Sequence, residues 1–242
     1  MSQQPKPLRR PGRRQGGAAL LLVLVIALLG TLLVAWSSRT ALLGERITGS
    51  DADYQRALQA AQAMVRDAEL DIRGQRVDGS PCRSEPGYDG SCRLKRLDAD
   101  AGQVFFPQGS VDFQALEGAL SPRTPSCVKG ICIAAHMPVA FWQTGSASDE
   151  FERMKAVAAR YGEFTGGTSS DRAGDPLLVP ARDHAWYWVE VLPYDMRPAR
   201  VDPFRPDIDR PFIYRITGIA QGLQPKSLAV VQTLFIWRRE DS

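Results

Sequence analysis

Four cysteines, two histidines and a group of aspartates are the residues of this 242-residue chain whose types and spacing admit chemistry beyond packing. Cys82 and Cys92 enclose the turn-forming RSEPGYDGS, and Cys127 and Cys132 enclose VKGI. Structural zinc sites place their ligands in C-x2-4-C pairs. With nine intervening residues the first pair lies outside that spacing, so the two pairs together fit the pattern poorly. Of the three connectivities that four cysteines allow, short local disulfides, Cys82 with Cys92 and Cys127 with Cys132, are expected, in an oxidising compartment. His136 and His184 each stand in an apolar setting beside strand-like residues and read as satisfied structural side chains. No G-x-S-x-G elbow, phosphate loop or H-E-x-x-H motif occurs, so neither an enzyme nor a cofactor is expected. Asp202, Asp207 and Asp209 lie in Tyr194 to Arg210, YDMRPARVDPFRPDIDR, where four arginines offset four aspartates. No EF-type ligand spacing is present, which argues against calcium. The segment keeps two readings. It is a proline-stiffened loop that meets a neighbouring subunit through Tyr194, Arg197, Phe204, Arg205 and Asp207, or a solvated, charge-balanced hairpin connection.

These residues must be positioned by the rest of the chain, and one stretch decides where that chain resides. From Ala18 to Ser38 there are 21 consecutive uncharged residues. At about 1.5 Å per helical residue they reach about 32 Å, close to the roughly 30 Å of bilayer hydrocarbon. The preceding MSQQPKPLRRPGRRQGG carries Lys6, Arg9, Arg10, Arg13 and Arg14 and no acidic residue, which puts the N-terminus in the cytoplasm and the bulk of the chain outside it. Taking these five cations from the net charge of +3 leaves −2, so the basic pI implies no nucleic-acid surface. A cleaved secretory signal has an apolar region of about 7 to 15 residues and then a small-x-small site. Here the run is longer, and the one candidate site, Leu33-Val34-Ala35, begins with a large residue.

Past the span, Tyr54, Leu58, Ala61, Val65, Ala68 and Ile72 recur at helical spacing, with Gln55, Gln59, Gln62, Arg66, Asp67 and Glu69 on the other sides. The expectation is one helix, apolar over 18–38 and amphipathic over 39–73, weakened at Gly44 and Gly49 and ending at Gly74. Residues 74–180 lose clear periodicity and read as a loop-rich region holding the disulfides, with one short helix in Phe151 to Phe164. Residues 181–242 contain three strand-like runs, His184 to Pro193, Phe212 to Gly222 and Ser227 to Arg238. The fold class is therefore α+β, a long N-terminal helix on an antiparallel sheet of about four strands.

Gly16-Gly17 at the junction of basic leader and apolar run resembles a type IV prepilin. The wording is closer still to PilX-type minor pilins: Glu45-Arg46-Ile47-Thr48-Gly49, Ala57-Leu58-Gln59-Ala60-Ala61-Gln62-Ala63, and the closing WYWVEVLPY, YRITGIAQG and LAVVQTLF resemble that family's segments. The resemblance implies that a prepilin peptidase removes residues 1–17 by cutting between Gly17 and Ala18, whose amine is then methylated. It also implies residence in the inner membrane and then at the pilus tip. The implied partners are other minor pilins of the PilV, PilW and FimU types, a PilY-type adhesin, the major pilin below and the inner-membrane assembly platform. Counted from Ala18 the fifth residue is Leu22, where most pilins carry glutamate. A carboxylate inside hydrocarbon requires a partner, thought in ordinary pilins to be the amine of the subunit ahead. The K-type pseudopilins of type II secretion share this leucine and are one alternative, and a single-pass protein with an unrelated extracytoplasmic binding domain is another.

Overall fold

The computed structural model describes residues 16–82, 93, 104–143, 149–167, 175–194, 205–224 and 227–238. Helix α1 spans Gly16–Arg73. The chain divides into two compact units, Met1–Gly49 and Ser50–Ser242, each described by itself.

In the first unit, Ala19–Arg39 is a helix long and apolar enough to cross a membrane, and none of it is buried. The backbone stays helical through Gly44 and Gly49, so the local melting expected at these glycines is not found. Helix propensity alone allows this, because a glycine costs only about 1 kcal/mol against alanine in a helix interior.

The second unit is built on a five-stranded sheet in the order β1 (Cys127–Val128), β2 (Ile131–Ile133), β3 (Ala185–Pro193), β4 (Phe212–Gln221) and β5 (Leu228–Ile236). The last three strands fall on the three runs of aromatic and β-branched residues and pair antiparallel in unbroken register. Two features differ from expectation. Among the described residues there are five strands, and β2 runs parallel to β3, so the sheet is mostly rather than wholly antiparallel. Parallel neighbours need a long crossover, and residues 134–184 supply it. At two and three residues, β1 and β2 are too short to leave an alternation in the sequence.

Both faces of the sheet are covered at the centre. On one face Tyr187, Val189, Val191, Tyr214, Ile216 and Phe235 share a core with the α1 residues after Ser50 and with Leu116 and Leu120 of α2 (Ser110–Leu120). On the other, Trp186, Trp188 and Ile219 pack with Phe141 and with Phe151 and Met154 of α3 (Asp149–Ala156). The helix expected over Phe151 to Phe164 thus stops early. Ala159 instead pairs with Tyr187 through two 3.1 Å backbone hydrogen bonds, and Gly162 turns the chain at φ +69°. Helix α2 was not anticipated, since its only buried apolar pair is one i, i+4 repeat of leucine.

The α1 face that meets the sheet is narrow and lined with small residues. Ala57, Ala60, Ala61 and Ala68 are fully buried, and the backbones close to such a distance that a Cβ on Gly218 would stand 2.5 Å from the Ala61 carbonyl oxygen.

Candidate functional site

Among the sequence-derived helix–sheet residues, Ala61, Val65, Ala68 and Ile72 are buried and Leu58 half-buried, whereas Tyr54 is 43% exposed. The residue facing the sheet at that level is its neighbour Asp53. Buried positions 53, 57, 60, 64, 67 and 71 form a second row beside 57, 61, 65, 68 and 72, and a step of one residue turns a side chain by about 100°. That second row holds three aspartates, each buried and each satisfied by a different part of the fold. Asp67, expected on the solvent side, is one of them.

Asp53 closes the β4–β5 connection by accepting the backbone N–H groups of Leu223 and Gln224, each at 3.0 Å. Burial raises its pKa, but these N–H donors together with Ser227 and Arg56 outweigh burial and hold it below the usual carboxylate range. Asp67 accepts the Gly162 N–H at 2.8 Å and the Thr165 hydroxyl. There burial prevails: with Asp71 adding repulsion, the carboxyl is pushed up to about 7 against the pull of Thr165, Gly162 and Arg93. Asp71 lies one turn on. It pairs with Arg93 and accepts the Tyr187 hydroxyl at 2.9 Å. Arg93 also donates to the Lys129 carbonyl oxygen and lies between the rings of Phe106 and Phe164, 5.2 and 3.4 Å from their centroids. Burial would lower the Arg93 pKa, but Asp71 and Tyr187 reverse the direction and raise it. The Tyr187 hydroxyl, buried and beside Asp71, is pushed well above its ordinary range. One guanidinium thus faces two carboxylates in a dry cluster, an arrangement that can hold a single negative charge in balance and no more.

Cys127 and Cys132 oppose each other across the β1–β2 turn and are disulfide-bonded. Lys129 and Gly130 form that turn at φ +50° and +80°, the double left-handed geometry of a two-residue hairpin. A Cβ on Gly130 would stand 2.8 Å from that of Ala159. Cys82 is also disulfide-bonded, and its expected partner Cys92 lies outside the described residues. In the Tyr194–Arg210 segment, Tyr194 donates its backbone N–H to the Pro211 carbonyl oxygen at 2.8 Å. The Asp207 carboxylate accepts the Asp209 N–H at 3.0 Å. Arg197 and Phe204 are outside the described residues, as is Asp202.

The histidines depart from the sequence reading. His136 is exposed on the rim of an open cavity of about 340 Å³ between Pro125, Met137, Arg153 and Met154. His184 is half-buried, and its Nδ1 has no hydrogen-bond partner among the described residues. No group of three metal-ligating side chains occurs among the described residues.

In α1, the backbone at Gly17 and Ala18 is helical. Leu22 is 60% exposed, within an apolar surface that continues to Trp36. The span is not buried by other described residues, and its chemistry is that of a lipid-facing or helix-facing segment.

Two family models match the chain. One, described as Type IV pilus assembly protein PilX C-term, covers residues 108–236; the other, PilX N-terminal, covers residues 15–66. No curated protein and no solved structure matches it.

Proposed function

From the premise that this chain belongs to the PilX family of type IV pilus assembly proteins and is a type IV pilus minor pilin, we propose that it primes assembly and sits at or near the pilus tip. The observation that carries this is Leu22. A subunit with a glutamate at the fifth mature position must neutralise it inside an apolar surface. A leucine there removes that demand, and with it the need for a subunit ahead. Other minor pilins and a PilY-type adhesin are its partners in this reading, with the domain after Ser50 periplasmic before extraction. Its work is contact rather than catalysis. The K-type pseudopilin alternative calls for a large inserted helical domain. Between residues 75 and 180 the described helices longer than one turn are only α2 and α3, of 11 and 8 residues.

The test combines processing and placement. Expression with a prepilin peptidase removes residues 1–17 and leaves an N-methylated Ala18; a mature protein that keeps Met1 ends the pilin-type processing reading. In cells where wild-type protein is processed, Leu22→Glu lowers filament number and moves immunogold label away from tips. Wild-type piliation and labelling in that variant would remove the argument for the tip.

A further inference from the structure

The sheet ends on β5, and among the described residues one whole side of that strand has no partner. Its pairing with β4 is unbroken from Gln221↔Leu228 to Ile213↔Ile236, so no bulge turns it aside. Its sequence, LAVVQTLFI, holds no charge, no proline and no glycine. Folded proteins blunt a long edge with charges, proline, bulges or brevity. The opposite edge of this sheet follows that rule, because β1 is two residues long. At β5 every such device is missing. In an antiparallel pair alternate residues turn their N–H and C=O groups away from the neighbour, so about half of β5 offers backbone donors and acceptors outward. The side chains agree: Leu234 is 66% exposed, and beside it on the face away from α1 lie Ile236, Ile213 and Leu192, each only partly buried.

We propose that β5 is completed in the working assembly by an extended, uncharged, β-branched-rich segment of a different protein, which adds a sixth strand to the sheet. Backbone hydrogen bonds supply the binding, and alternate side chains of the segment read Val230 and Leu234 on one face and Val231 and Thr233 on the other. The inference rests on the pilin reading only for where that protein is met.

The fold itself argues against a second copy as the occupant. Asp53 sits at the Leu223–Gln224 connection, and Arg73 lies 5.2 Å over the Phe235 ring. The chain therefore enters the second unit at the hairpin end and runs alongside β5. Antiparallel self-pairing has its two-fold axis normal to the sheet, so two copies would enter at opposite ends. Parallel self-pairing turns one sheet over and sets the apolar row of one copy beside the helix-covered row of the other.

The experiment places the photo-crosslinking residue p-benzoylphenylalanine at Val230, Gln232 or Leu234 of the full chain in piliated cells, with exposed Val111 on α2 as control. Adducts are identified by mass spectrometry. The expected result is that the three positions link to residues two apart within one segment of a protein other than this chain, and that Leu234→Lys removes the Val230 and Gln232 adducts. Adducts to a second copy, adducts scattered over a partner's surface, or none above the Val111 control would overturn the proposal. N-terminal processing is read in the same samples. Processed protein without β5 adducts refutes the edge proposal alone, and ordered adducts on unprocessed protein refute the pilin reading alone.

Discussion

Replacing Asp67 by Asn separates the charge of this buried carboxyl from its hydrogen bonds. The amide oxygen still accepts the Gly162 N–H, and the amide nitrogen donates to the Thr165 hydroxyl, so the contacts of the neutral acid survive. What changes is titration. Asp67 stands at about 7 in the folded chain, against about 3.9 for an unfolded aspartate. The folded state therefore holds an extra proton between these values. Stability from this group is complete below about pH 4 and is lost as pH rises towards 7, a total of about 4 kcal/mol at about 1.36 kcal/mol per unit. Asp53, held low, works in the opposite direction, as do other carboxylates, so the absolute pH profile of the wild type is a mixture. The difference between wild type and Asp67→Asn isolates the one group. Facing it are Asp71 on its own helix, Arg93, Tyr161 and Thr165 on the segments above it, and Tyr187 on β3. Urea unfolding of the full chain in detergent micelles, followed by the fluorescence of buried Trp186 and Trp188, gives the measurement. The two proteins are expected to match near pH 4 and to diverge to about 4 kcal/mol by about pH 8, with the Asn variant the more stable. A constant gap across that range, or a less stable variant at the alkaline end, would show that Asp67 carries no raised pKa and that burial is not the governing cause.

Two further substitutions test the packing around it. Arg93→Ala leaves Asp71 and the Tyr187 hydroxyl buried without their cation, and a loss of about 3 to 5 kcal/mol in the same unfolding assay is expected; a loss within experimental error would mean that the cluster is solvated. Gly218→Ala brings a methyl group 2.5 Å from the Ala61 carbonyl oxygen and 2.9 Å from Val65. A cost of about 1 to 3 kcal/mol, seen as a lower thermal midpoint, follows from overpacking, and an unchanged midpoint would place α1 farther from the sheet.

The strands and the long helix were legible because their signals are local: alternation in AWYWVEV and LAVVQTLF, and apolar recurrence after Ser50. Of the two buried rows on the helix, the one through Ala61, Val65, Ala68 and Ile72 was read and the one beside it was missed. Alanines at 57, 60, 61 and 68 satisfy two adjacent rows equally, and hydrophobicity then favours the row containing Tyr54 over the one containing Asp53. The row at 53, 57, 60, 64, 67 and 71 has the same helical period, and its three aspartates remove the apolar signal that would have marked it. The satisfying partners lie far along the chain: Gly162 is 95 residues from Asp67, and Tyr187 is 116 from Asp71. Nothing local announces a buried charge that is satisfied at such range. The parallel contact of β2 with β3 was hidden for a similar reason, since three residues carry no periodicity and the pairing depends on a distant strand.

The aspartates also answer a problem that the alanines create. A helix face made of small, similar residues presents nearly the same surface after a slide of one turn, about 5.4 Å, so apolar burial alone discriminates weakly between registers. Buried polar groups discriminate strongly, because a displaced carboxylate loses its donors while remaining dry. Asp53 at the β4–β5 connection, Asp67 at the Gly162–Thr165 turn and Asp71 at the Arg93–Tyr187 pair give three such points along about 27 Å of helix. Any slide breaks all three together. Two of the points cost little, since one is paired to a guanidinium and one accepts two backbone N–H groups. The third, Asp67, has neither a paired guanidinium nor a second backbone N–H, and it meets that cost by keeping its proton, so the same side chain that fixes the register makes the fixing weaken as pH rises.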